Sequence, residues 1–353
     1  MHPLLAGLQA NPDFLLQNLD FRERRGLVVK ISESAYRQTA FLDERVLRAD
    51  TQGAWFPLDS LLQAAAHMQI GRHPHYIFHV GHCGSTLVSR LLGELPNVFS
   101  LREPITLLAL AIMQRGLETP ESPLDAAEWR RLLNMSLALL SRTYHKEDQP
   151  LIKLTSAAGN LLGTLLAESE DSRALLMYVD LETYLATMLR AEATRENLRA
   201  YADAWLGDFH RRTGNHNISA QPMDDAHQAV INWLTMLTEF SAATALNPGR
   251  TLWMHFDAFL EAPASHLRES GKFFGLRSAP EAISQLASGS LMKRYAKDPQ
   301  QQFDRRTRQQ ELAQARRHLH AEIRTALDWA ESLCMDIPLL EPVLPYLRPK
   351  YGS

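Results

Sequence analysis

One short stretch constrains this chain more than any other. Tyr76-Ile-Phe-His-Val80 is β-rich and short, Gly81-His-Cys-Gly-Ser-Thr86 is a turn, and Leu87, Leu91, Leu92 and Leu95 recur at helical spacing. A strand, a glycine-and-hydroxyl turn and a helix start in that order make an anion-binding loop. Glycine lets the backbone turn sharply and approach a ligand closely. The helix that follows presents unpaired N–H groups and the positive end of its dipole. Ser85 and Thr86 add hydroxyl donors there. The spacing predicts that residues 76–80 form a central parallel strand and that Ser85 begins a helix facing an open pocket. The competing reading is a plain helix cap by Ser85 or Thr86.

Three related loop chemistries are separable on the same residues. A Walker A loop needs a lysine before its final hydroxyl, and none lies here, which disfavours ATP or GTP hydrolysis. A phosphatase-type loop wants an arginine six residues after the cysteine, where the chain has Ser89 and then Arg90, one place too late. A nucleophile elbow, Gly-x-nucleophile-x-Gly, is nearly matched by Gly81 to Ser85 with Cys83 as nucleophile. Ser85 replaces the last glycine. A thiol at a helix start is acidified, so an α/β hydrolase stays open as the alternative, beside Cys83 as a small loop residue.

The surrounding pattern predicts the fold. Strands expected at 150–154, 174–179 and 251–256 join 76–80, and helices are expected at 160–167, 183–190 and 264–274. Strands alternating with helices imply a parallel sheet covered on both faces. Residues 123–145 and 191–245 carry helical spacing without strands and read either as caps over a site or as packing elements. Residues 309–334 read as one long amphipathic helix with a docking face. Within residues 1–70, an accessory segment, 26–32 reads as a strand and 58–68 as a helix; residues 71–353 form the main domain.

Composition narrows the setting. The 353 residues are 45% hydrophobic and 22% charged, as in ordinary globular domains, and the net charge of -3 gives no reason to expect nucleic-acid binding. Two cysteines exclude a disulfide framework and a cysteine-based zinc site, and no metal is expected. The longest apolar run, 105–113, is short of the ~20 residues a membrane span needs. The start lacks a signal-peptide pattern. A cytoplasmic protein is expected, of undetermined oligomeric state.

Phe78-His-Val-Gly-His-Cys-Gly-Ser-Thr-Leu-Val-Ser-Arg-Leu-Leu92, followed by Pro96-Asn-Val-Phe-Ser-Leu-Arg-Glu-Pro104, resembles the start of the P-loop sulfotransferases. On their pattern His82 takes an Arg/Lys position, Cys83 the first Ser, Gly84 the Gly, and Ser85 and Thr86 the hydroxyl pair. The likeness continues more weakly through Tyr178 to Thr187 and Phe256 to Leu260, and covers roughly residues 75 to 300 as one α/β domain would. It implies a three-layer P-loop α/β/α fold with a mostly parallel central sheet and helical insertions. It also implies sulfuryl transfer from 3′-phosphoadenosine-5′-phosphosulfate to an unidentified hydroxyl or amine. Gly81, His82, Cys83, Gly84, Ser85 and Thr86 would then cradle the cofactor.

Two departures matter. The family's 3′-phosphate arginine is Val179 here, and its proline is Leu181, while Asp180 and Thr187 fit. Lys153, Arg190 and a basic stretch, Lys293, Arg294, Lys297, Arg305, Arg306 and Arg308, are the candidate replacements; a solvated surface is the alternative for that stretch. Glu103 is the expected base, or else a structural partner of Arg102, and His82 serves as base or anion ligand. His210, His216 and His227 are expected at the surface, and His255 as a hydrogen-bonded core residue. A non-catalytic anion-binding protein on the same fold is the third reading.

Overall fold

The computed structural model describes residues 2–219, 223–296 and 298–348. Its centre is a five-stranded sheet built from β4 (His75–His79), β5 (Val98–Arg102), β6 (Gln149–Lys153), β7 (Ala174–Tyr178) and β8 (Thr251–His255), after three N-terminal strands, β1 (Phe14–Asp20), β2 (Arg25–Lys30) and β3 (Gly53–Pro57). The spatial order is β5-β6-β4-β7-β8, and every neighbouring pair is parallel. Helices cover both faces, so the central strands are buried along most of their length: β4, β5 and the last four residues of β6 are wholly buried. This is the three-layer α/β/α architecture with a parallel sheet that the alternating pattern predicts.

The order places the site. From β4 the chain crosses to β5 at one edge, returns to β6, and then crosses β4 to reach β7. Connections therefore diverge on either side of β4, and such a switch point opens a crevice at the carboxyl ends of the strands. Register brings the ends level: Ile77 and Arg102 both lie opposite Lys153, and Tyr178 lies opposite His255. The residues after β4, β5, β6 and β8 thus meet at one rim.

The N-terminal segment is docked on the main domain. β1, β2 and β3 form an antiparallel sheet whose buried residues join the same core cluster as the central sheet. β5 is an edge strand, and residues 36–42 cover it. The Leu42 N–H donates to the Arg102 carbonyl (2.7 Å), and the Arg102 guanidinium donates to the carbonyls of Tyr36, Arg37 and Thr39. Covering an edge strand in this way removes a template for unwanted pairing.

Two expectations are corrected, and one of two alternatives is settled. Residues 309–334 are not one helix: the helices Arg305–His318 and His320–Asp336 meet at Leu319, whose backbone (φ -105°, ψ 18°) breaks the run. Residues 160–167 begin in a 3-10 turn, Ser156–Leu161, before the helix Leu162–Ala167. The insertion 191–245 forms the helices Glu192–Thr213 and Asp225–Leu246; the second is buried along most of its length, so it is a core element rather than a cap.

The base of β4 carries a pH-sensitive support. His75 is buried and stacks on Phe274 (5.1 Å). Its Nδ1 accepts from the Arg173 N–H (3.3 Å) and its Nε2–H donates to the Phe274 carbonyl (3.1 Å), a pattern that needs the neutral ring. Burial first, and then the nearby Arg173 charge, push its pKa down to about 4 from an ordinary 6.5. Between those values the unfolded chain binds a proton that the folded chain does not. Stability should therefore fall as pH drops below 6.5, with a slope of up to ~1.4 kcal/mol per pH unit from this group, until about pH 4. Urea unfolding between pH 7.5 and 4.5 should show a shallower fall in His75→Gln than in the unmutated chain; parallel curves would contradict the assignment.

Candidate active site

The turn after β4 is built from unusual backbone. Gly81 (φ 93°), His82 (φ 49°) and Gly84 (φ 68°) are all left-handed. Gly84 is required twice over, because a Cβ there would also run into the Phe256 ring that follows β8. His79 anchors the start of the turn. Its Nδ1 accepts from the Gly81 N–H (3.0 Å), and its Nε2–H donates to the Leu154 carbonyl (2.9 Å), tying the loop to the end of β6.

The helix Ser85–Gly93 begins directly after this turn. Its N-cap is Gly84, and no side chain caps it. The plain-cap reading of Ser85 or Thr86 therefore does not hold. Thr86 is buried, and its Oγ1 has no hydrogen-bond partner among the described residues. A buried hydroxyl left unpaired costs roughly 1–3 kcal/mol, and this one sits on the first turn of an uncapped helix. Together they leave donors aimed at the crevice.

That crevice is a cavity of about 340 Å³. Its walls include His82, Cys83, Gly84, Ser85, Thr86, Glu103, Lys153, Thr187 and Arg190, so all the expected site residues except Gly81 meet there. Lys153 is fully buried at the end of β6 and pairs with Glu103, whose φ of 52° turns its side chain off the end of β5. Glu103 thus answers Lys153, not Arg102, whose donors go to the 36–39 backbone. Arg190 pairs with Glu311, and the Thr187 hydroxyl donates to its own helix at the Thr183 carbonyl (2.8 Å).

The lid of the cavity comes from the chain after 293. Two short antiparallel strands, β9 (Arg294–Tyr295) and β10 (Asp298–Gln302), lead into the helix Arg305–His318. Arg294, Tyr295, Phe303, Arg308 and Leu312 from this region line the cavity. Arg308 pairs with Asp257 and lies 5.2 Å from the Phe256 ring, and its burial lowers its pKa. Of the basic stretch, then, Arg294 and Arg308 reach the cavity. Lys293, Arg305 and Arg306 are not among its walls, Arg305 pairs with Glu261, and Lys297 lies outside the described residues. His79, Phe256 and the lid aromatics were not singled out by the sequence; only a histidine ending a strand before a glycine hinted at the first.

Other expected residues fall elsewhere. Cys83 is buried at the cavity wall, and its Sγ–H donates to the Met177 carbonyl of β7 (3.5 Å). Val179 is buried, and its carbonyl accepts from the Trp233 indole (3.0 Å). His255 is the hydrogen-bonded core histidine expected. His210 and His227 are half-buried rather than fully exposed, while His216 is exposed. Asp180, His255 and Asp257 converge closely enough to suggest metal ligands, but each is committed: Asp180 caps the helix Leu181–Met188 through the Thr183 N–H (2.7 Å), Asp257 holds Arg308, and the His255 Nδ1 accepts from Ala258.

No family model matches the chain, and no curated protein matches it. Solved structures similar to it include the sulfotransferase domain from the curacin biosynthetic pathway, at 15% identity over 70% of this chain and 98% of that one, with a TM-score of 0.41. The sulfotransferase STF1 from Mycobacterium tuberculosis H37Rv is 14% identical over 65% of this chain and 77% of its own, with a TM-score of 0.44. The sulfotransferase from Alicyclobacillus acidocaldarius is 11% identical over 74% and 95%, with a TM-score of 0.36. No helix among the described residues is long and apolar enough to cross a membrane.

The loop geometry makes a direct demand on Gly84. Gly84→Ala should lower stability by about 2–4 kcal/mol, combining left-handed strain with overpacking against Phe256. Ser85→Ala should change it little. Urea unfolding of both variants checks this, and an unchanged midpoint for Gly84→Ala would mean that the turn is not held as described.

Proposed function

We propose that the chain is a sulfotransferase-like enzyme that moves a sulfuryl group from 3′-phosphoadenosine-5′-phosphosulfate to a hydroxyl or amine acceptor. The observation that carries this reading is the uncapped helix start under a left-handed loop, with Ser85 and Thr86 lining a walled cavity and the buried Thr86 hydroxyl unpartnered among the described residues. An oxyanion would satisfy both at once. The sequence likeness around residues 78–104 gives the oxyanion its chemical identity.

The residues present fit the phosphosulfate end of that cofactor better than its 3′-phosphate end. Ser85, Thr86 and the first-turn N–H groups would hold the 5′ oxyanion. When bound, the cofactor supplies an activated sulfuryl group. Glu103 takes the proton from the acceptor hydroxyl or amine, and Lys153 fixes the Glu103 carboxylate by their ion pair. Fixed N–H dipoles at the helix start would stabilise negative charge on the 5′ oxyanion without rearranging. His82 borders the same space on the loop. The Cys83 thiol's engagement with the Met177 carbonyl weighs against the hydrolase alternative.

The 3′-phosphate end is where a second reading has support. Val179 offers nothing, and Lys153, Arg190 and Arg308 each already hold a carboxylate. A nucleotide-binding protein without transfer activity would tolerate that arrangement. In the transfer reading, the exposed Arg190–Glu311 pair, a type worth at most about 1 kcal/mol, opens to release Arg190 for the phosphate.

Calorimetry with two nucleotides tests this. Adenosine 3′,5′-bisphosphate should bind at least about tenfold tighter than adenosine 5′-monophosphate, or ~1.4 kcal/mol. Arg190→Ala should erase the difference and leave the monophosphate affinity unchanged. Equal affinities in the unmutated protein would remove the 3′-phosphate from the account. In a sulfuryl-transfer assay, Glu103→Gln should lose at least about a hundredfold in rate, the lower range for general base catalysis, while keeping nucleotide affinity. Unchanged turnover would take the base role from Glu103.

A further inference from the structure

The strongest group of unused charges lies at the other end of the helix Ser85–Gly93. Arg90, on that helix, and Arg102, ending β5, line a second cavity of about 270 Å³ with Arg37 and Glu94, and no residue lines both this cavity and that of the loop. Arg102 is 3% exposed. Its Nε and Nη2 serve the carbonyls at 36–39, but no hydrogen bond or carboxylate partner engages its Nη1 among the described residues. Arg90 donates from Nη2 to the Gln38 carbonyl (3.0 Å), while its Nε is buried with no partner among the described residues. Among the described residues, neither guanidinium has a carboxylate within ion-pair distance. Arg37 pairs with Glu33 at the rim, and Glu94 is the acidic residue beside them.

Buried charges are ordinarily paired, because removing them from water costs several kcal/mol each. Here the buried Arg102 has the half-buried Arg90 beside it instead. Burial first, and then the charges of Arg90 and Arg37, push the Arg102 pKa down to about 10, with Glu94 opposing. Burial lowers that of Arg90 as well. The missing component is a negative charge with several acceptor oxygens.

We propose that Arg90 and Arg102, with Arg37 at the rim, form a second anion site that takes a compact tetrahedral oxyanion, free phosphate or sulfate. The Arg90 guanidinium and the Arg102 Nη1 donate to it, and its charge relieves their mutual repulsion. Planar guanidinium forks suit such ions.

Equilibrium dialysis of the full chain with radiolabelled inorganic phosphate, at fixed ionic strength, tests the site without any nucleotide. Arg90→Gln keeps an amide for the Gln38 carbonyl but removes the charge. It should lose one bound phosphate per chain, or weaken that one at least tenfold. Glu94→Gln removes the opposing carboxylate and should tighten the same phosphate several-fold, a gain that a merely structural arginine pair would not give. Unlabelled sulfate should displace the phosphate. If both variants match the unmutated chain in stoichiometry and affinity, the arginines only fasten residues 36–39 to the sheet edge and the site does not exist.

Discussion

The site rests on a backbone constraint: three left-handed residues within four positions between β4 and the helix Ser85–Gly93. Left-handed backbone is unfavourable for side-chain-bearing residues, and His82 adopts it between two glycines. The surroundings enforce it. His79 holds the Gly81 N–H from below, and Phe256 closes on Gly84 from β8, leaving no room for a Cβ. The reward is a helix that starts with its N–H groups uncovered and aimed into the crevice of the sheet. Glycine, histidine and phenylalanine from two strands thus fix where an anion can sit before any charged side chain is considered.

Electrostatics around that cradle are self-contained. Lys153 answers Glu103, Arg190 answers Glu311, and Arg308 answers Asp257, so the cations lining the cavity are largely neutralised in the ligand-free protein. These pairs differ in depth. Lys153 is buried at a strand end, and breaking its pair would strand a charge at a cost of about 3–5 kcal/mol. Arg190 and Glu311 are half exposed and separate cheaply. The buried pair therefore suits a fixed catalytic carboxylate, and the exposed pair suits a contact exchanged when an anion arrives. That Glu311 and Arg308 both belong to the helix Arg305–His318 makes this helix sensitive to what occupies the cavity.

The loop was legible because its chemistry is local: glycines, hydroxyls and an apolar helix follow one another within residues 81–92. The parallel strands were legible as short apolar runs. β5 stands out less as an apolar run because Val-Phe-Ser-Leu-Arg ends in an arginine, and nothing local says that Arg102 is buried under the 36–39 carbonyls. β1 escaped because its register shifts between Leu16 and Asn18, spoiling the two-residue alternation. β3, an edge strand with Gly53 and Pro57, carries turn residues. The break at Leu319 has neither glycine nor proline to mark it. His79, Phe256 and the lid needed the fold, since their roles come from residues 75 to 230 positions away in sequence, as the Leu154, Gly84 and loop contacts make plain.

The central claim is that the turn 81–86 and the first turn of its helix are the ligand for an oxyanion. Backbone amide hydrogen exchange across the whole chain, with and without saturating adenosine 3′,5′-bisphosphate, tests it most directly. The account predicts slowed exchange at residues 85–87, where the N–H groups of the uncapped helix start gain acceptors. Saturable binding with protection elsewhere and unchanged exchange at 85–87 would contradict it.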